Sequence, residues 1–255
     1  MEEIIDLLLN EFQLFLLVMV RTSGIFIFSP FFSSQNIPNT MKIGLTLSIS
    51  LLISLVLPSS YDFTNDMLVL ILVKELIIGI IIGYISYAFF SAFYVMGQIG
   101  DMKIGFGMAN VIDPQNKVQV PLMGNFYYII SFLLLLGING HHIIITALVD
   151  SYTFLPIGSF QYTGDVINIL INTLVKSFEI GFKLSTPIVA IIFLTDVILG
   201  IISKTIPQMN VFVVGMPLKV MIGLLIILIS MPVFFNAAQG IFDIITNDIY
   251  NFLKI

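Results

Sequence analysis

"LIIGIIIGYISYAFFSAFYVMGQIG", from Leu76 to Gly100, runs for twenty-five residues without a formal charge. As a helix it would measure about 37 Å, more than the ~30 Å hydrocarbon core of a bilayer. It is too long for a single strand, and its opening "LIIGIIIGY" lacks the polar–apolar alternation of a membrane barrel. In lipid, only helices and closed barrels satisfy their own backbone groups. The stretch therefore reads as a membrane helix, and the fold class follows as all-α.

Working outward, the whole chain has the same character. Apolar residues make up 58% of its 255 positions and charged residues 10%, with a mean hydropathy of +1.08. A soluble domain carries roughly 25% charged residues, so this chain has too few to coat a water-facing surface. Its apolar runs are Phe12–Phe32, Ile43–Leu57, Met67–Gly100, Val118–Val149, Phe178–Ser203 and Val211–Phe242. They predict a polytopic membrane protein of about six long helices, kinked at Pro187, Pro217 and Pro232. "INGHH" divides the fourth run near Asn139, which leaves open whether that run is one helix or two. No internal repeat or linker is visible, and a single integral membrane domain over 1–255 is expected. The ten basic residues are too evenly spread to set an orientation. The opening "MEEIIDLLLNEF" is acidic where a cleavable signal is basic, so the first run is expected to be retained.

Composition excludes several functions. There are no cysteines, hence no disulfide, thiolate metal site or cysteine nucleophile. The net charge is −5 with no Lys/Arg cluster, which argues against nucleic acid. His141 and His142 are adjacent, about 100° apart on a helix, and cannot grip one metal as an i, i+4 pair does. No metal and no cofactor are expected. "GFGMAN" lacks the third glycine and the βαβ setting of a dinucleotide fingerprint. No nucleophile–base constellation can be assembled, so the chain is not read as an enzyme.

Charges within apolar runs carry more information. Arg21, Lys74, Glu75, Glu179, Lys183 and Asp196 each cost roughly 2.5–3.5 kcal/mol at a helix centre unless paired or wet. They are expected in structural pairs or subunit contacts. Glu179 and Lys183 stand i, i+4 in the favourable order, whereas Asp196 has no cation at i±3 or i±4. No chain of acids suits a proton relay. Gly79, Gly83, Ser86, Ala88, Ser91 and Ala92 permit close helix approach, within the chain or against a partner.

"GFGMANVIDPQNKVQVP" (Gly105–Pro121) interrupts this pattern with glycines, prolines, amides and charge. Irregular backbone at membrane depth is tolerated where protein buries it or it lines a watery cavity. A plain water-facing turn is the other reading of the residues.

Five stretches in register resemble the FliR family of flagellar biosynthesis proteins, whose relatives also serve virulence injectisomes. They are "RTSGIFIFSPFFSSQNIPNTMKIGLTLS" (Arg21–Ser48), "KELIIGIIIGY" (Lys74–Tyr84), "GQIGDMKIGFGMANVIDP" (Gly97–Pro114), "NGHHIII" with "DSYTFLPIGS" (Asp150–Ser159), and "PQMNVFVVGMPLKVMIGL" (Pro207–Leu224). Two positions depart from the family: Lys103 where Gln is more frequent, and Asp196 where Asn is common. The resemblance implies a subunit of the type III export gate in the bacterial inner membrane, within the flagellar basal body. Its implied partners are FliP and FliQ, then FlhB and FlhA, unfolded export substrates in transit, and membrane lipids. It implies helices folded as bent hairpins in a helical assembly around a conduit, much of it standing proud of the bilayer. It also implies that the loop at about 104–120 plugs that conduit. Gly105 and Gly107 would turn the backbone there, and Phe106, Met108, Val111 and Ile112 would form an apolar seal. Ala109 and Asn110 lie between them, and Asp113-Pro114 would start the return. A self-contained secondary transporter with its substrate near this break, or the injectisome counterpart, are the rival expectations.

Overall fold

The computed structural model describes residues 2–30, 32–33, 37–58, 68–106, 121–162, 164–206, 208 and 210–255. Among them are seven helices: α1 (Glu2–Phe28), α2 (Asn39–Val56), α3 (Leu68–Ile104), α4 (Leu122–Gly137), α5 (Gly140–Phe154), α6 (Gly164–Thr205) and α7 (Val211–Leu253). The described residues contain no strand, and the protein is an all-α, multi-pass membrane protein. Five helices are long and apolar enough to cross a membrane, and the α4–α5 pair makes a sixth span if counted as one.

The α4–α5 pair answers the question left by the fourth apolar run. The two helices are bent by 69° at their junction, where Asn139 takes a left-handed φ of 57°. Asparagine tolerates that conformation better than most side chains, so "ING" ends one helix and starts the next.

Helices extend well beyond the apolar runs. α6 has 42 residues and α7 has 43, against runs that begin at Phe178 and stop at Phe242. Hydropathy marks where side chains leave water. The backbone ladder continues past that point, through polar stretches such as "GDVINILINTLVKS", because it satisfies itself in either medium. Pro187 in α6, and Pro217 and Pro232 in α7, lie inside helices that continue past them.

The chain forms two compact units. Unit one comprises residues 1–88, 139–173 and 244–255. Its buried core includes Leu14, Leu17, Val18, Ile25, Ile78 and Ile82. A Cβ built on Gly79 would collide with the Arg21 carbonyl, and one on Gly83 would lie 2.9 Å from the Phe28 Cβ. α1 and α3 thus touch nearly backbone to backbone, the use of small residues that membrane helices favour. The Tyr250 hydroxyl donates to the Asp150 carboxylate, tying the end of α7 to α5.

Unit two comprises residues 89–138 and 174–243. Aromatic rings fill its centre: Phe93 meets Phe234 edge-on at 5.6 Å, and Tyr127 lies 4.9 Å from Phe234. Phe90 contacts Phe93 and Tyr128 at 6.0 and 6.3 Å. Offset and edge-on pairs of this kind add to simple area burial.

Candidate functional site

The long loop predicted at about 104–120 springs from unit two. Of its predicted residues Gly105 and Phe106 are described, while Gly107, Met108, Ala109, Asn110, Val111, Ile112, Asp113 and Pro114 lie outside the described residues. The segment has an anchor at each end.

The first anchor is the end of α3. Gly105 has φ +98°, and the N–H groups of Gly105 and Phe106 both donate to the Asp101 carbonyl, at 3.0 and 3.2 Å. This is a glycine-terminated helix end that satisfies an otherwise orphaned carbonyl. The second anchor is the start of α4. Pro121 precedes that helix and has no side chain able to cap it. The Asp101 carboxylate supplies the cap instead, accepting from Met123 N–H at 3.0 Å and from Gly124 N–H at 3.3 Å. A carboxylate at a helix N-terminus meets free donors and the positive end of the dipole together.

Asp101 therefore closes one helix with its backbone and opens the next with its side chain, and it is 5% exposed. Close packing makes this possible, since a Cβ on Gly97 would strike the backbone at Met123 and Gly124. Sequence reasoning passed over Asp101. Capping motifs are read within three residues of a helix start, and this one acts from more than twenty residues upstream.

A cavity of about 400 Å³ lies beside the first anchor, lined by Lys103, Gly105, Asp196 and Lys219 among others. Asp196 forms an ion pair with Lys219, joining α6 to α7. Lys103, on the last turn of α3, also lines a second cavity of about 240 Å³. Earlier in α6, Glu179 and Lys183 pair at 2.6 Å on an exposed surface.

The remaining predicted charges meet in unit one. Arg21 is fully buried, and its Nε donates to Glu75 Oε2 at 2.6 Å. Its Nη1 donates to Ser151 Oγ at 2.9 Å and its Nη2 to the Leu155 carbonyl at 3.0 Å. The guanidinium lies 4.1 Å from the centre of the Tyr152 ring. The other Glu75 oxygen accepts from Gly158 N–H at 3.0 Å, and Lys74 Nζ donates to the Gly158 carbonyl at 3.1 Å. Lys74 and Glu75 thus grasp the two polar groups of one glycine, and α1, α3, α5 and the turn after α5 are joined through charge. Desolvating such a pair is costly, and these additional hydrogen bonds are what offset it.

The rings of His141 and His142 lie 4.3 Å apart. Among the described residues no group of three or more His, Cys, Asp or Glu could hold a metal ion. The arrangement as a whole is a set of clamps that fix helices and loop ends.

A family model described as "Bacterial export proteins, family 1" matches residues 12–245. The chain is 33% identical to the flagellar biosynthetic protein FliR of Bacillus subtilis over 260 residues, covering 100% of this chain and 98% of that protein. It is 32% identical to FliR of Aquifex aeolicus, with 91% and 87% covered. Against FliR of Escherichia coli the identity is 26%, with 94% and 92% covered.

Proposed function

The chain belongs to family 1 of the bacterial export proteins and, within it, to the FliR flagellar proteins, and on that premise we propose that it is a non-enzymatic subunit of a protein-conducting gate in the bacterial inner membrane, at the flagellar basal body. The observation that carries this reading is the likeness to Bacillus subtilis FliR over 100% of the chain. The cargo is unfolded flagellar protein, and the assembly partners are FliP and FliQ, with FlhB and FlhA beyond them.

The 104–120 segment plugs the conduit at rest and yields to a passing polypeptide. Its composition supports the role: Phe106, Met108, Val111 and Ile112 offer an apolar seal, with methionine adaptable to varied cargo. The framing of the segment supports it as well, because a plug needs fixed ends and Asp101 holds both. Energy for transport comes from companion proteins; this chain's residues position and seal.

Deleting residues 106–112 in cells that still assemble the gate is expected to raise ion and small-solute leakage. Unchanged leakage would overturn the plug role. Loss of motility, with injectisome secretion intact, in a strain lacking the chain is expected for the flagellar assignment. The reverse pattern would move it to the injectisome.

A further inference from the structure

The root of the loop carries an unpaired charge. Lys103, on the last turn of α3, is exposed. Among the described residues it takes part in no ion pair and no hydrogen bond. Its side chain lines two cavities of unit two. One is lined along α6 by Phe182, Thr186 and Phe193, the other by Asp196 and Gly200 of α6 with Lys219 of α7. The first has no acid in its lining, and its hydroxyls are engaged: Ser185 and Thr186 both donate to the Phe182 carbonyl, at 2.7 and 3.3 Å. The second holds a carboxylate, bonded to Lys219 through Oδ1.

Close contacts within unit two fix the level of that carboxylate. A Cβ on Gly181 would lie 2.7 Å from the Ala92 carbonyl oxygen, and one on Gly100 would lie 3.8 Å from the Ile188 side chain. Residue numbers rise together along the two helices, so α3 and α6 run parallel and Ile104 stands level with Ile192. Asp196 is one turn, about 6 Å, beyond it. On α7, a Cβ on Gly223 would lie 2.8 Å from the Ile104 side chain, and Lys219 is one turn from Gly223. Because Lys219 pairs with Asp196, that turn is taken in the same direction. The ion pair thus spans α6 and α7 just past the end of α3, beside the root of the loop.

That end is the negative pole of α3, where cations are favoured and a lone carboxylate is repelled. Lys219 offsets the charge of Asp196 without exhausting its acceptors. A carboxylate accepts at two oxygens, and the Lys103 ammonium has three donors.

We propose that Lys103 is a positioning residue for the first anchor. Its ammonium moves between the two cavities, and in the second it shares Asp196 with Lys219, so that one carboxylate ties the end of α3 to α6 and α7. A partly exposed pair of this kind shifts a population by up to about fivefold. That is too little to lock the anchor and enough to bias it. The steadying of a plug rests on the gate reading above, whereas the three-residue contact does not.

Zero-length carbodiimide coupling, applied to the full chain in mild detergent and followed by peptide mass mapping, tests the contact. Amides from Asp196 to both Lys219 and Lys103 are expected, and Asp196→Asn should abolish both. Absence of the Lys103 amide, with or without that of Lys219, would overturn the proposal. Small-solute leakage in cells tests the role. Lys103→Gln is expected to raise it by up to about fivefold, and Lys103→Arg to hold it at the wild-type level. Once Asp196→Asn is present, Lys103→Gln should add nothing further; additive effects of the two would refute action through Asp196. If leakage stays unchanged even when residues 106–112 are deleted, the plug reading fails, and the amide still decides the contact.

Discussion

Arg21 engages four groups from three parts of the chain: Glu75, Ser151, the Leu155 carbonyl and the Tyr152 ring. Removing one member of such a buried network leaves the other charge uncompensated. Arg21→Ala is expected to destabilise unit one by about 3–5 kcal/mol, whereas replacing both partners with apolar residues, Arg21→Met with Glu75→Leu, should recover most of that loss. Thermal unfolding in detergent measures both. Arg21→Lys should restore little, because an ammonium cannot span the divergent directions of a guanidinium fork. For Asp101 the expected effect is smaller. Asp101→Ala should cost about 1–2 kcal/mol, the worth of a helix cap, and Asp101→Asn less, since one acceptor oxygen is kept. Hydrogen exchange at Met123 and Gly124 reads this locally, and unchanged protection would refute the cap. Both residues show where sequence reading ends. A buried arginine announces that it needs an anion, but its partner is set by the packing of distant helices. Asp101 announces nothing, since its acceptors serve a helix far along the chain.

Glycine substitutions at the level of the element should separate contact from propensity. A Cβ at Gly79 runs into the Arg21 carbonyl, while at Gly44 it meets nothing within 4 Å. Gly79→Ala is therefore expected to lower the unfolding temperature by forcing α1 and α3 apart. Gly44→Ala should leave that temperature unchanged or raise it, since alanine adds up to about 1 kcal/mol of helix propensity. Equal effects from the two would mean that the α1–α3 contact is not as close as described. The sequence left open whether the small residues of α3 face the chain or a partner. At Gly79 and Gly83 they face α1, a choice that depends on which helices become neighbours and leaves no local mark. Helix existence and type were legible from the long apolar runs, and so was the break near Asn139. Helix ends were not, because a ladder of backbone bonds outlasts the apolar side chains that reveal it.

For the molecule as a whole, exposed carbon is the governing fact. Only 17% of the candidate span is buried within α2, and 17% within α7, and Leu51, Leu52, Leu55, Leu228 and Ile229 are all more than half exposed. Hydropathy shows that such faces avoid water, but lipid and protein look alike to it. Mild detergent extraction is expected to recover the chain in a large complex with two other small hydrophobic proteins. Recovery of the chain alone would count against the gate assembly. One consequence concerns mechanics. Through its carbonyl and its carboxylate, Asp101 closes the chain between α3 and α4 into a noncovalent ring. A tug applied anywhere on that ring, from either direction, arrives at the same residue. The two ends cannot be displaced independently: the ring either holds as a unit or opens at Asp101, which makes that carboxylate the fuse of the circuit.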